Sequence, residues 1–276
     1  MVSIHHLLRY IEEDAPFGDV TSEAVIPEVS CSAVIRTEQA GVIAGLEEAA
    51  ALFEYFHVTA EHRIQDGEMV RAGDVVLALS GEAKKILFVE RTALNIIGRM
   101  SGIASQTRKM AELIASVNPS CRIAGTRKTA PGSRALDKKA ILLGGGDPHR
   151  TSLSDGILIK DNHLLLVPLE TAIRKARAVS AYRIVEVEAE TPEEAQTAAE
   201  AGSDIILLDN MSPAQIRTTV DLLKNRGLRD KVVLEVSGGV DENSLCSYAA
   251  CGIDTISMGA LTHTVKNFSV TLEIQP

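Results

Sequence analysis

The second half of the chain has a rhythm that few folds can accommodate. Short runs rich in Ile, Val and Leu recur at Ile184–Val187, Asp204–Leu208, Val232–Val236 and Asp254–Ser257, their starts 20, 28 and 22 residues apart. Between them Thr191–Gly202, Ser212–Arg226 and Asp241–Gly252 read as helices, with Ser212 and Asp241 as N-caps. Alternating strand and helix at this spacing implies parallel strands, in either an open doubly wound sheet or a barrel. The strand ends discriminate. They carry Glu188, Asp209-Asn210, Ser237-Gly238-Gly239 and Met258-Gly259. An open sheet gathers such residues at one switch point, whereas a barrel places them at the end of every strand. A barrel is therefore predicted. Arg122–Gly125 and Ile157–Lys160 bring the count to six strands and towards seven, an incomplete α/β barrel.

The first hundred residues mix element types. Ile4–Glu13 and Gly45–Phe56 read as helices, Cys31–Glu38 and Val75–Leu79 as strands, and Ala83–Val117 as one long helix. This predicts an α+β layer over residues 1–108, which the strand-like segment Asn267–Ile274 rejoins within 266–276. Residues 109–265 form the barrel.

Composition narrows the function. The chain is 276 residues long with a net charge of −9, and 3% of its residues are aromatic, none of them Trp. An acidic chain poor in stacking side chains is unsuited to nucleic acid. No apolar run is long enough to cross a bilayer, and the N-terminus does not read as a secretory signal, so no membrane partner is expected. The four cysteines form no CxxC pair, which fits a reducing cytoplasm.

One segment departs from the acidic average. Between Thr126 and His163 there are seven Lys/Arg against four Asp, interleaved with Gly, Thr and Pro. Such an island suggests a pocket for a small, strongly anionic ligand, against the plainer alternative of a solvated surface partly neutralised by Asp147, Asp155 and Asp161. Arg127 and Lys128 follow one predicted strand and Lys160 closes another, so these cations converge at the barrel mouth. His149 and Arg150 follow the triplet Gly144-Gly145-Gly146, where backbone can approach a ligand closely. Arg matches a carboxylate fork and Lys supplies a point charge for phosphate. Glu188 and Asp209 fit Mg²⁺, which takes oxygen ligands, better than zinc. Ser237-Gly238-Gly239 and Met258-Gly259 sit where barrels bind phosphate on backbone N–H groups. P-loop and dinucleotide fingerprints are absent, and no Ser–His–Asp or Cys–His nucleophile is apparent. Catalysis would then rest on positioning and electrostatics.

Ordered motifs along nearly the whole chain resemble the quinolinate phosphoribosyltransferase family. They are Gly18-Asp19-Val20-Thr21, Glu90-Arg91-Thr92, Thr126-Arg127-Lys128-Thr129, Gly144-Gly145-Gly146 with His149-Arg150, Lys160-Asp161-Asn162-His163, Val185-Glu186-Val187-Glu188, Leu207-Leu208-Asp209-Asn210, Ser237-Gly238-Gly239 and Gly259 through His263. The resemblance implies an N-terminal α/β open sandwich and a seven-stranded α/β barrel. It also implies conversion of quinolinate and phosphoribosyl pyrophosphate to nicotinate mononucleotide, CO₂ and pyrophosphate, with Mg²⁺. Carried over by position, Arg91, Arg127, His149, Arg150 and Lys160 would bind quinolinate, with Arg91 reaching from a neighbouring subunit. Lys128, Glu188 and Asp209 would serve phosphoribosyl pyrophosphate and its metal, with Lys128, Lys160, Glu188 and Asp209 the catalytic set. Ser237, Gly238, Gly239, Gly259 and His263 would line the 5′-phosphate end. A homodimer is then the smallest competent unit, and a hexamer built as a trimer of dimers is the larger option.

The chain departs from the family pattern at Ser133, Lys139 and Pro148. The last two resemble the molybdenum-transport-associated paralogues, a phosphoribosyltransferase branch with another acceptor. The complete Lys160–His163 segment favours the quinolinate enzyme. A barrel retained only as a binding scaffold would be expected to lose Glu188, Asp209 or the cation cluster, and all are present.

Overall fold

An amphipathic first helix, α1 (Ile4–Asp14), seats Leu7 and Ile11 in an apolar core. Asp19 starts α2 (Val20–Val25) by accepting the backbone N–H groups of Thr21 and Ser22. In this computed structural model, which describes residues 2–275, the chain divides into two compact units. The first contains residues up to 108, then 130–145, then 264 onward. After α2 come β1 (Ser30–Thr37), β2 (Gly41–Val42), α3 (Leu46–Tyr55), β3 (Thr59–His62), β4 (Met69–Val70), β5 (Val75–Glu82) and the start of α4 (Ala83–Ala115). Buried and exposed side chains alternate along β1, which places Ala33 and Ile35 in the core. The final strand, β12 (Val270–Gln275), lies antiparallel to β1, and the sheet order is β12-β1-β5-β3.

Residues 130–145 correct the expected boundary. They carry α5 (Arg134–Leu143), whose Leu136, Ala140 and Ile141 bury in the first unit's core. Asp137, fully buried, receives both Nε and Nη2 of Arg99 at 2.8 and 2.9 Å. Burial of an apolar helix face and of one charge thus ties this insertion to the first unit.

The second unit contains β6 (Arg122–Ala124), β7 (Ile157–Ile159), α6 (Asp161–Leu164), α7 (Leu169–Val179), β8 (Val185–Ala189), α8 (Pro192–Glu200), β9 (Ile205–Asp209), α9 (Pro213–Asn225), β10 (Val233–Ser237), α10 (Leu245–Ala249), β11 (Thr255–Ser257) and α11 (Ala260–His263). All six strands are parallel, in the order β6-β11-β10-β9-β8-β7. The place of a seventh strand is taken by a one-residue parallel bridge between Asp147 and Ala124. A longer ladder is blocked at Asp147: Pro148 has no N–H to donate, and His149 has φ +58.

Strand alternation sets the two faces of this sheet. Val185, Val187, Ile206, Leu208, Leu234 and Val236 enter the core that packs under the helices. Glu186, Ile205, Val233 and Glu235 instead line a cavity of about 480 Å³. Thr191 and Ser212 cap α8 and α9, each followed by Pro at the first helical position. Asp241 differs from expectation. Helix α10 spans Leu245–Ala249, one turn later: Asp241 Oδ1 accepts Ser244 N and Oγ at 2.9 and 2.7 Å, and its carbonyl accepts the Leu245 N–H at 3.0 Å, so Asp241 caps a turn that leads into the helix.

Candidate active site

The candidate residues of the second unit occupy two levels. At the C-terminal ends of the strands, Lys160 follows β7, Glu188 lies in β8, Asp209 closes β9 and Ser237 closes β10. Lys160 Nζ is 2.5 Å from Glu188 Oε1, and the Asp161 N–H approaches the other oxygen at 3.4 Å. Lys160 is itself fixed at its backbone. Its N–H donates to His163 Nδ1 at 2.9 Å, and His163 N–H returns to the Lys160 carbonyl at 2.8 Å. Burial, then the charge of Glu188, push the Asp209 carboxyl above its ordinary value, with Lys160, Asn210 and Lys128 pulling it back. Glu188, Asp209, Lys160 and Lys128 are therefore within electrostatic reach of one another.

Lys128 is held from the other side. Its carbonyl accepts the Thr262 hydroxyl at 2.9 Å, and its N–H donates to Thr126 Oγ1 at 3.1 Å. Gly259 makes room: a Cβ there would stand 2.9 Å from His263 Cδ2 and 3.1 Å from Lys128 Cδ. Gly238 and Gly239 have φ of +91 and +63, and a Cβ on Gly238 would collide with Asn210 Oδ1. Only glycine permits this close turn beside Asp209-Asn210. Asn210 is itself left-handed at φ +54, so a second strained residue sits at the same rim.

One level deeper, His149 and Arg150 line the cavity. The His149 ring Nε2 is 3.3 Å from Glu235 Oε1 and 3.8 Å from Glu186 Oε1. Burial disfavours the imidazolium, but the two carboxylates overcome it and raise the pKa to about 10. The Arg150 N–H on ring Nδ1, at 2.8 Å, works the other way, since an imidazolium has no lone pair to accept it. Burial and the charge of Glu235 in turn push Glu186 up, against the pull of His149 and Arg150. Arg127 Nε is buried with no hydrogen-bond partner. That N–H is unsatisfied until an acceptor arrives.

Two metal-like groupings occur among the described residues. His149, Glu186 and Glu235 make a poor metal cage, because Nε2, the nitrogen facing the carboxylates, carries a proton both in the imidazolium and in the neutral tautomer that the Arg150 contact selects. Glu47, Glu48 and Asp66 of the first unit already enclose Lys139 Nζ, at 2.7, 2.8 and 3.6 Å. That accounts for Lys139, which neutralises an acidic pocket of the first unit. Ser133 precedes α5 and bonds the Ala130 carbonyl at 3.1 Å. Arg91 is exposed on α4, in the first unit.

Strand-end spacing gives no role to Glu186 or Glu235, although a signal for both is there. Each lies two residues before a candidate, Glu188 and Ser237, and period two puts it on the same face one layer down. Asn210 is legible as a polar strand end, but not as the left-handed residue that packs against Gly238.

A parallel α/β sheet bearing a carboxylate pair, a cation cluster and a glycine cradle on its strand ends defines an enzyme for phosphorylated, anionic substrates. Comparison with known proteins is more specific. Residues 19–101 match the N-terminal domain, and residues 103–273 the C-terminal domain, of quinolinate phosphoribosyl transferase. The chain is 45% identical over 268 residues to a probable carboxylating nicotinate-nucleotide pyrophosphorylase of Methanothermobacter thermautotrophicus, covering 96% of each chain. It is 34% identical to the carboxylating nicotinate-nucleotide pyrophosphorylase of Rattus norvegicus, covering 96% of this chain and 88% of that one. The solved nicotinate-nucleotide pyrophosphorylase of Francisella tularensis superposes with a TM-score of 0.91 at 32% identity, covering 100% and 98% of the two chains. The chain belongs to the quinolinate phosphoribosyltransferase family, transferases of pyridine-nucleotide biosynthesis.

Proposed function

We propose that the strand-end rim of the second unit joins the ring nitrogen of quinolinate to C1 of phosphoribosyl pyrophosphate. Pyrophosphate leaves, the 2-carboxylate departs as CO₂, and a proton takes its place to give nicotinate mononucleotide. The observation that carries this reading is the buried, unpartnered Nε of Arg127 beside Lys128 on one strand end. Quinolinate is a dianion at neutral pH, and each carboxylate needs a charged partner once desolvated. Arg127, Arg150 and Lys160 supply such partners, with His149 behind Arg150. Lys128 serves the pyrophosphate, and the glycine turns at 238–239 and 259, with Ser237 and His263, take the 5′-phosphate.

Glu188 and Asp209 suit Mg²⁺. Both offer oxygen from adjacent strands, and the upward push on Asp209 from burial and from Glu188 is a penalty that a cation relieves. When bound, Mg²⁺ neutralises charge on the leaving pyrophosphate. The protein's own work is to orient. Bond breaking at C1 leaves an oxocarbenium-like centre, by analogy with glycosyl transfer, and the pyridine nitrogen must be held in line with it. The quaternised ring then accepts the electron pair released with CO₂. Lys160 first binds the 2-carboxylate and then gives a proton, directly or through a water it orients, to the ring carbon.

Arg91 is assigned to the site of a neighbouring subunit, with a dimer as the smallest working unit, a trimer of dimers as the larger assembly, and the cytoplasm as its place of work. Among the described residues no helix is long and apolar enough to cross a membrane. Incubating the protein with Mg²⁺, quinolinate and phosphoribosyl pyrophosphate should yield nicotinate mononucleotide and CO₂ in equal amounts. Absence of both products rejects the reading. Mixing Arg91→Ala with Lys160→Ala protein should restore activity through hybrid sites. If subunits exchange and activity stays absent, Arg91 serves its own chain.

A further inference from the structure

Two glutamates have no task in the reaction written above. Glu186 and Glu235 are 5% and 3% exposed, and each leaves its Oε1 without a hydrogen-bond partner. They come from β8 and β10 and turn into the same cavity. Burying two like charges together costs folding free energy, and an apolar pair of similar volume would serve the fold better. His149 and Arg150, which the quinolinate reading assigns to the substrate, line the same cavity, and residues that violate a stability rule beside such groups are expected to act on function.

What they face is one ring. Glu235 and Glu186 stand 3.3 and 3.8 Å from His149 Nε2. On the opposite side, ring Nδ1 accepts the Arg150 backbone N–H at 2.8 Å. The His149 backbone is pinned as well, its N–H donating to Asp147 Oδ1 at 2.7 Å while φ is held at +58. Both ring nitrogens thus face groups of the protein itself. If the ring turned away from the carboxylates, Nδ1 would leave the Arg150 N–H, and the strained His149–Arg150 step would lose the contact that orients it.

We propose that Glu186 and Glu235 are positioning residues that clamp the His149 ring, and through it set the Arg150 guanidinium against the pyridine dicarboxylate. The inference rests on the quinolinate reading above and adds to it a pair of residues that touch no substrate.

The test is a Glu186→Met/Glu235→Met protein, with Glu235→Gln as the milder companion. The double variant relieves the repulsion between the two carboxylates but also removes the partners of the His149 N–H, so it should stay folded with a cooperative melt. Its quinolinate KM should rise about tenfold, the size expected when residues in one network are uncoupled. KM for phosphoribosyl pyrophosphate should stay within about twofold, because the two glutamates act on the quinolinate side only. In a His149→Asn background Glu235→Gln should change quinolinate KM no further. An unchanged quinolinate KM, an equal rise for both substrates, or loss of folding in both variants overturns the proposal. Parent protein that turns over quinolinate while the variants behave normally rejects the clamp alone. Parent protein inert towards quinolinate rejects the reading beneath it.

Discussion

The two units treat buried charge in opposite ways. In the first, Asp137 is fully buried yet receives a two-pronged Arg99, and Lys139 sits against Glu47, Glu48 and Asp66. In the second, Arg127 Nε, Glu186 Oε1 and Glu235 Oε1 are buried and left over. Closed clusters hold a fold together, since removing either partner strands the other. Buried polar atoms left without a hydrogen bond mark places where the fold gives up stability for another use. A list of ion pairs would score both units alike; among the described residues the buried carboxylate and guanidinium atoms without a hydrogen bond lie in the second unit, and the first leaves the His62 ring Nδ1.

The sharpest way to break that distinction is to withhold part of the ligand. Nicotinic acid lacks the 2-carboxylate, so it would leave cations of the second unit unpaired in a dry site. Its kcat/KM should fall by about 10⁴ relative to quinolinate, the size of discrimination when a buried polar partner goes missing. Comparable values, measured by nicotinate mononucleotide formation, would mean the cluster does not read two carboxylates.

Asp137→Ala should show the opposite character. It removes the two-pronged acceptor of Arg99 and is expected to cost about 3–5 kcal/mol of stability, read from urea midpoints. Activity per folded molecule should be nearly kept, and a selective loss of activity at full stability would move Asp137 into the functional class. Arg127→Ala mirrors it, with stability unchanged and about 2–5 kcal/mol of transition-state binding lost, measured as kcat/KM. Wild-type turnover in that variant would remove Arg127 from the site.

Gly238→Ala is the smallest of the four. A side chain at φ +91 costs about 1–2 kcal/mol, and the new Cβ would press on Asn210 Oδ1. KM for phosphoribosyl pyrophosphate should rise while that for quinolinate holds. Equal changes in both would show the turn to be a scaffold and not a phosphate cradle.

Much of this was legible beforehand, and for local reasons. The caps Thr191 and Ser212 announced α8 and α9 because a cap is a contact within four residues. The rim residues Lys160, Glu188, Asp209, Ser237 and Gly259 were legible because parallel strands bring successive C-terminal ends to one edge. Asp241 was legible as a cap, but not the extra turn between it and α10, since a side chain that accepts the N–H three residues on fits a turn and a helix start alike.

The amino-acid sequence by itself determined the strand–helix rhythm, the polar strand ends and the family motifs, all carried by short-range periodicity and residue type. Tertiary structure alone decided three things. It placed α5 with the first unit, because the fate of Asp137 depends on Arg99, 38 positions earlier. It stopped the sheet at six strands and one bridge, because Pro148 and the left-handed His149 end the ladder at Asp147. And it aimed Glu186 and Glu235, from strands about fifty residues apart, at one imidazole. Which buried atoms stay unpaired depends on distances across the fold, and no window of sequence contains them.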